Sequence, residues 1–229
     1  MPNDLISIDD NPGKRIYLHT LFSITIQDDF ASPANFPNGL TYNGIDDFMY
    51  TSDIGSDIIY KHDGISNTIL DSNSSPSTQP RSLTHDGTDL YSVDGASKLA
   101  YHHDGDSDTI LESFTTPGIS PYGIGVNADG SKFYLCDIID DEITVHDGFS
   151  DTVLDTITSP GAAPSGLTHF GGDIYSSDYN SDTIYHHDGD SDTILESIDS
   201  PGNEPRDIDL TARLVAFIPR PILMIGISQ

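Results

Sequence analysis

Basic residues are scarce in this chain. Its 229 residues include 9 Lys or Arg against 37 Asp or Glu, a formal net charge of −28. Nucleic acid is therefore excluded as a partner, because binding phosphates requires facing cations. Attraction to an anionic membrane surface is excluded on the same ground. Cysteine is nearly absent: Cys136 stands alone, so no internal disulfide forms. No stretch reaches the roughly 18 apolar residues of a membrane span. The opening MPNDLISIDDNPG lacks both a basic region and a long apolar run, so it does not read as a secretory signal, and cytoplasmic synthesis is expected. Glutamate is rare too, with 4 Glu (Glu112, Glu142, Glu196 and Glu204) against 33 Asp. Aspartate favours turns and glutamate favours helices, which predicts a turn-rich, helix-poor chain. An acidic surface with only 4 Lys suits saline surroundings, where screening weakens self-repulsion.

What the chain does have is a repeat. Residues 165–205 read SGLTHFGGDIYSSDYNSDTIYHHDGDSDTILESIDSPGNEP, and residues 81–121 read RSLTHDGTDLYSVDGASKLAYHHDGDSDTILESFTTPGISP. The same plan recurs at 38–80 and, more diverged, at 122–164. A His-Asp-Gly triplet marks the register, with His62, His103, His146 and His187 spaced 41, 43 and 41 residues apart. A period of this size belongs to propellers or solenoids. Each unit holds four short β-type runs, such as GIGV, KFYLCD, EITVHD and DTVLDTI, separated by Gly- and Asp-rich turns. Helical periodicity is missing. Four antiparallel strands per repeat describe a propeller blade.

Five Pro-x-x-x-Pro pairs close the units: Pro33 and Pro37, Pro76 and Pro80, Pro117 and Pro121, Pro160 and Pro164, Pro201 and Pro205. Proline cannot sit inside a paired ladder, so each pair reads as the crossing from an outermost strand to the next innermost one. The segment IYLHTLFSITIQDDFASPANFP aligns without a gap to IYKHDGISNTILDSNSSPSTQP, 43 residues on. The chain then begins partway through a blade, with residues 5–9 and 16–30 as its outer three strands. Residues 206–211 supply the missing inner strand, and the fold is an all-β propeller of five blades over residues 1–211. A competing register aligns ISIDDNPGKRIYLHT with IGVNADGSKFYLCD. It would start the chain on an innermost strand and require the tail to build part of a sixth blade.

The pattern Pro-x-Gly-Leu, an Asp/Gly turn, Tyr-x-x-Asp and a strand ending in His-Asp-Gly resembles the NHL and YVTN types of β-propeller. SPYGIGVNADGSKFYLCDIIDDEITVHDG resembles one blade of those families. The resemblance covers roughly residues 5–211 and implies a fold, not an activity, because such families include binding modules as well as enzymes.

Three sets of residues are candidate sites. The turn Asp104-Gly105-Asp106-Ser107-Asp108, repeated at Asp188-Gly189-Asp190-Ser191-Asp192, places alternate carboxylates as calcium loops do. Calcium is the one cofactor these turns admit. Gly at positive φ and a capping Asp also make a plain hairpin turn. The aspartates Asp53, Asp94, Asp137 and Asp178 each stand three residues after a Tyr and close the second strand of a unit. A ring of them near one channel mouth would hold a cation or a sugar, or each would simply fix the turn after it. The triplet histidines stand one per blade, too far apart to share a metal. They read as solvated turn residues, and only cross-turn pairs such as His85 with His103 or His169 with His187 would chelate. Cys136 reads as a buried inert thiol. No nucleophile elbow or phosphate loop occurs, and no lone odd residue breaks the repeat in the loops.

Residues 212–229 abandon the acidic chemistry: they hold Arg213, Arg220 and no carboxylate. The apolar run at 222–227 has high β propensity and must be covered, either as an extra strand or as an assembly contact with another subunit. The expected function is a non-enzymatic binding or structural module recognising another protein subunit or a glycan, with a virion component as one setting. A secreted-type lectin and a propeller hydrolase or lyase with a metal at the channel mouth are the alternatives.

Overall fold

The computed structural model describes residues 4–11 and 13–211 and contains strands and turns but no helix among them. Three strands open the chain: β1 (Asp4–Asn11), β2 (Arg15–His19) and β3 (Ile26–Ala31). Four complete sheets follow. The first holds β4 (Pro37–Asn43), β5 (Phe48–Asp53), β6 (Ile58–Asp63) and β7 (Ile69–Ser74). The second holds β8 (Pro80–His85), β9 (Leu90–Asp94), β10 (Leu99–His103) and β11 (Ile110–Thr115). The third holds β12 (Pro121–Val126), β13 (Lys132–Asp137), β14 (Glu142–Asp147) and β15 (Val153–Thr158). The fourth holds β16 (Pro164–Phe170), β17 (Asp173–Asp178), β18 (Thr183–His187) and β19 (Ile194–Asp199). The last strand, β20 (Asn203–Thr211), returns to the first three and completes a sheet of order β20-β1-β2-β3.

The fold is a five-bladed β-propeller. Its inner strands contact one another in the closed order β20, β4, β8, β12, β16 and back to β20. Antiparallel pairing of β20 with β1, with Leu210 opposite Leu5 and Ile208 opposite Ser7, joins the two ends of the chain in one blade. The five-blade register is the one that forms. We number the blades from β4, so the closing blade is the fifth. The tail at 212–229, expected to be an extra strand or an assembly contact, lies outside the described residues.

Local chemistry explains the recurring shape. Each of Pro37, Pro80, Pro121 and Pro164 is the first residue of an inner strand, where the missing N–H leaves no ladder position unfilled. The turn into the third strand ends on a left-handed residue in every blade: Lys14, Asp57, Lys98, Asp141 and Asp182 have φ between 53° and 58°. The triplet glycines Gly64, Gly105, Gly148 and Gly189 have φ between 59° and 64°, but the fifth blade puts Leu21 there at 59°.

In all five blades the outermost strand carries one extra residue where it pairs with the third strand, next to the buried histidine. His19, His62, His103, His146 and His187 point inward from the third strand and are fully buried. Their expected place in solvated turns is corrected here. Nε2 meets a hydroxyl of Ser7, Thr51, Ser92, Thr144 or Ser176 at 2.9 Å in each case. Nδ1 meets the carbonyl of the residue four positions on at 2.7–3.0 Å. Each imidazole is thus a neutral staple between strand and turn, and burial lowers its pKa.

Candidate functional site: the channel and its crossover mouth

The aspartates that close the second strands lie under the crossovers, almost fully buried. Asp94 shows their role. Its Oδ1 accepts from the N–H groups of Ala96 and Ser97 and the Ser97 hydroxyl, while Oδ2 accepts from the Gln79 N–H. Asp53 does the same for Gly55, Ser56 and Phe36. Asp137 holds Ile139, Asp140 and Ser120, and Asp178 holds Asn180, Ser181 and Ala163. Each carboxylate thereby ties its own turn to the incoming crossover. In the fifth blade Asp9 takes this position, bonding Ser200 and Gly202. Burial raises its pKa to about 7.

The Asp-rich turns do not draw their carboxylates together. Asp106 reaches back to the preceding blade, where it pairs with Lys61 and accepts from the Tyr50 hydroxyl at 3.1 Å. Asp190 repeats this with Lys132 and Tyr134, the latter at 2.9 Å. Asp104 and Asp188 close the hairpin by donating their backbone N–H groups to the carbonyls of Thr109 and Thr193 respectively. Asp108 and Asp192 complete the turns. Among the described residues no group of three or more His, Cys, Asp or Glu side chains is placed to hold a metal ion. His85 and His169 stack on Tyr50 and Tyr134, with centroids 5.6 and 5.2 Å apart, instead of meeting His103 and His187. Cys136 is buried, and burial pushes its thiol pKa up.

The repeat is broken, but inside the channel and not in the loops. The inner strands align as Pro37-Asn38-Gly39-Leu40-Thr41, Pro80-Arg81-Ser82-Leu83-Thr84, Pro121-Tyr122-Gly123-Ile124-Gly125, Pro164-Ser165-Gly166-Leu167-Thr168 and Pro205-Arg206-Asp207-Ile208-Asp209. Asp207 stands where the other blades have Gly or Ser, and Asp209 where they have Thr or Gly. Inner strands have an unpaired edge facing the axis, and these two carboxylates serve it. Asp207 Oδ2 accepts from the N–H groups of Leu40 at 2.9 Å and Leu83 at 3.2 Å, in the first and second blades. Asp209 accepts from the Tyr42 N–H at 2.7 Å and from the hydroxyls of Thr41 and Thr168. Burial raises the pKa of both. The sequence signal was available in the aligned inner strands, where a carboxylate replaces glycine. Asp209 also floors a cavity of about 160 Å³ at the channel end away from the crossovers, beside Tyr42, His85, His169 and Phe170.

The crossover mouth is built from the residue after each inner-strand proline: Asn38, Arg81, Tyr122, Ser165 and Arg206. Tyr122 crosses the mouth. Its buried hydroxyl donates to Asn38 Oδ1 at 2.6 Å and accepts from Arg206. The Arg81 guanidinium lies 4.4 Å from the Tyr122 ring centroid, and Arg206 lies 4.4 Å from that of Tyr179. Arg206 also pairs with Asp10 at 2.9 Å and Glu204 at 3.6 Å. Sequence reasoning missed this cluster, because its five members are of four residue types with no common pattern and only the closed ring assembles them.

No protein-family model matches the chain, and no curated protein sequence matches it. Among solved structures, it is similar to one titled "Crystal structure of Nidogen/Laminin Complex", with a TM-score of 0.67 and 15% identity, covering 91% of this chain and 98% of that one. It is also similar to "Crystal structure of Myxococcus xanthus Glutaminyl Cyclase", with a TM-score of 0.61 and 17% identity, covering 72% of this chain and 71% of that one. At such identities the likeness shows the β-propeller fold alone.

Proposed function

We propose that this protein is a non-enzymatic binding module that docks one protein partner on its crossover face, either in a free complex or as a subunit of a larger assembly such as a virion. One observation carries the reading. Two of the three described arginines stack on tyrosines at the centre of that face, in a chain of net charge −28. Arginine and tyrosine are the residues that most often anchor protein interfaces. Around them the same face exposes Phe36, Ile119 and Ile139, which are 51%, 60% and 59% accessible. A mouth of four residue types at five positions suits one asymmetric partner better than the repeated identical sites a multivalent glycan binder needs. That a solved propeller of similar fold is titled as a complex of nidogen with laminin supports a protein partner. The Pro-x-Gly-Leu and Tyr-x-x-Asp motifs support the finer NHL/YVTN assignment.

The test places a photo-crosslinking amino acid at Phe36 or Ile119, and separately at Leu154 on the outermost strand of the third blade. The reading expects discrete protein adducts from the first two positions in native extracts, lost when Tyr122 and Arg206 are both replaced by Ala. Adducts arising equally from Leu154, or surviving that double replacement, would overturn it.

A further inference from the structure

The second and fifth blades place an arginine at the same position, and only one of the two has a carboxylate. Arg206 and Arg81 each follow the inner-strand proline. In the fifth blade Asp9 pairs with Pro205 and with Arg15, and Asp10 comes next; in the second blade Asp94 pairs with Pro80 and with Leu99, and Gly95 comes next. Gly95 therefore occupies the place of Asp10. Arg206 forms an ion pair within the chain, through Nη2 to Asp10 at 2.9 Å. Arg81 makes no ion pair among the described residues; a buried Nε without a hydrogen-bond partner is common to both arginines, so the missing carboxylate is what sets Arg81 apart. Buried polar groups are nearly always paired, so a guanidinium left without its carboxylate is a feature to be explained. A Cβ built on Gly95 would lie 2.9 Å from Arg81 Nε and 3.2 Å from Gln79 Oε1, so the glycine leaves the arginine room to lie over the backbone. The ring of Tyr122 fixes the guanidinium from the other side.

From this juxtaposition we infer that Arg81 is a receptor for a carboxylate supplied from outside the chain, an Asp or Glu side chain of an acidic peptide. This rests on the crossover face being the docking surface. The planar fork of a guanidinium takes a carboxylate in bidentate fashion, and stacking on Tyr122 pre-organises it, so less freedom is lost on binding. The surrounding negative field disfavours free anions and acidic peptides alike, so the carboxylate must come with further contacts to the face, which a peptide supplies and a free anion does not. The fifth blade shows the completed arrangement, with Asp10 in the role the peptide carboxylate takes in the second.

The full chain labelled with nitrogen-15 is titrated with acetyl-Asp-Asp amide while the arginine Nε–Hε signals are followed, Arg81 being assigned by its loss in Arg81→Lys. The expected result is a saturable shift of the Arg81 signal that acetyl-Asn-Asn amide does not produce. In Gly95→Asp, the engineered carboxylate moves the Arg81 signal without peptide and weakens the peptide response at least about tenfold, equivalent to about 1.4 kcal/mol. An Arg81 signal indifferent to the acidic peptide overturns the site, as does a Gly95→Asp protein that responds like the parent. Acetate moving the signal as strongly as the peptide overturns the peptide assignment. A silent Arg81 with crosslinks retained at Phe36 and Ile119 removes this site and leaves the docking face standing. A responsive Arg81 without crosslinks does the reverse.

Discussion

His146 takes its hydroxyl partner from Thr144, two residues earlier on its own strand, at 2.9 Å. In the other four blades the hydroxyl comes from the neighbouring second strand, from Ser7, Thr51, Ser92 or Ser176. The third blade has Leu135 at that place, opposite Thr144 in the ladder, and the hydroxyl has moved across to the partner strand. Thr144→Val should leave a buried imidazole nitrogen unpaired and destabilise the domain by about 1–3 kcal/mol. Leu135→Ser combined with Thr144→Val should recover most of it. Chemical denaturation of the two variants measures both values.

Stability should depend on pH in two opposing ways. Burial lowers the pKa of His19 and of the four triplet histidines, so the unfolded chain binds protons that the folded one refuses. Their contribution is present above about pH 6.5 and is lost as the pH falls below that value. Burial raises Asp9 to about 7, so there the folded chain binds the extra proton. Its contribution is present at low pH and is lost as the pH rises from about 4 to about 7. Asp9→Asn should therefore gain stability relative to the parent as the pH is raised through that window, at a slope of no more than about 1.4 kcal/mol per pH unit. A stability difference that stays flat with pH would show that Asp9 titrates normally.

Leu21 occupies the left-handed position that glycine holds in the other four blades. A side chain there costs about 1–2 kcal/mol, offset by the greater freedom glycine loses on folding, about 0.5–1 kcal/mol. Leu21→Gly should raise stability by about 0.5 kcal/mol, seen as a higher melting temperature. Gly148→Leu should lower it.

The ring is closed by β20, which ends at Thr211. A chain truncated after Thr211 should keep its β-sheet circular dichroism and its melting temperature. Unfolding on truncation would mean that residues 212–229 contribute to the blades.

The blade plan was legible in the sequence because propeller blades are local. The hairpins of a blade form between strands adjacent in the chain, so the His-Asp-Gly triplets, the left-handed turn positions and the proline pairs all recur with the period of the blade. Even ring closure could be read, since the segment from Ile16 matches a blade interior that lacks its first strand. The triplet histidines were misread for a geometric reason: each still lies within the third strand, on its buried face, and not in the turn that its Asp-Gly neighbours begin. Tertiary structure alone decided the channel and its mouth. Asp207 meets Leu40 across 167 residues and Arg206 meets Asp10 across 196, because inner strands far apart in sequence converge on one axis. Such contacts have no period to read. The lack of an ion pair on Arg81 became visible only when the ring set it beside Arg206, whose partner Asp10 is replaced in the second blade by Gly95.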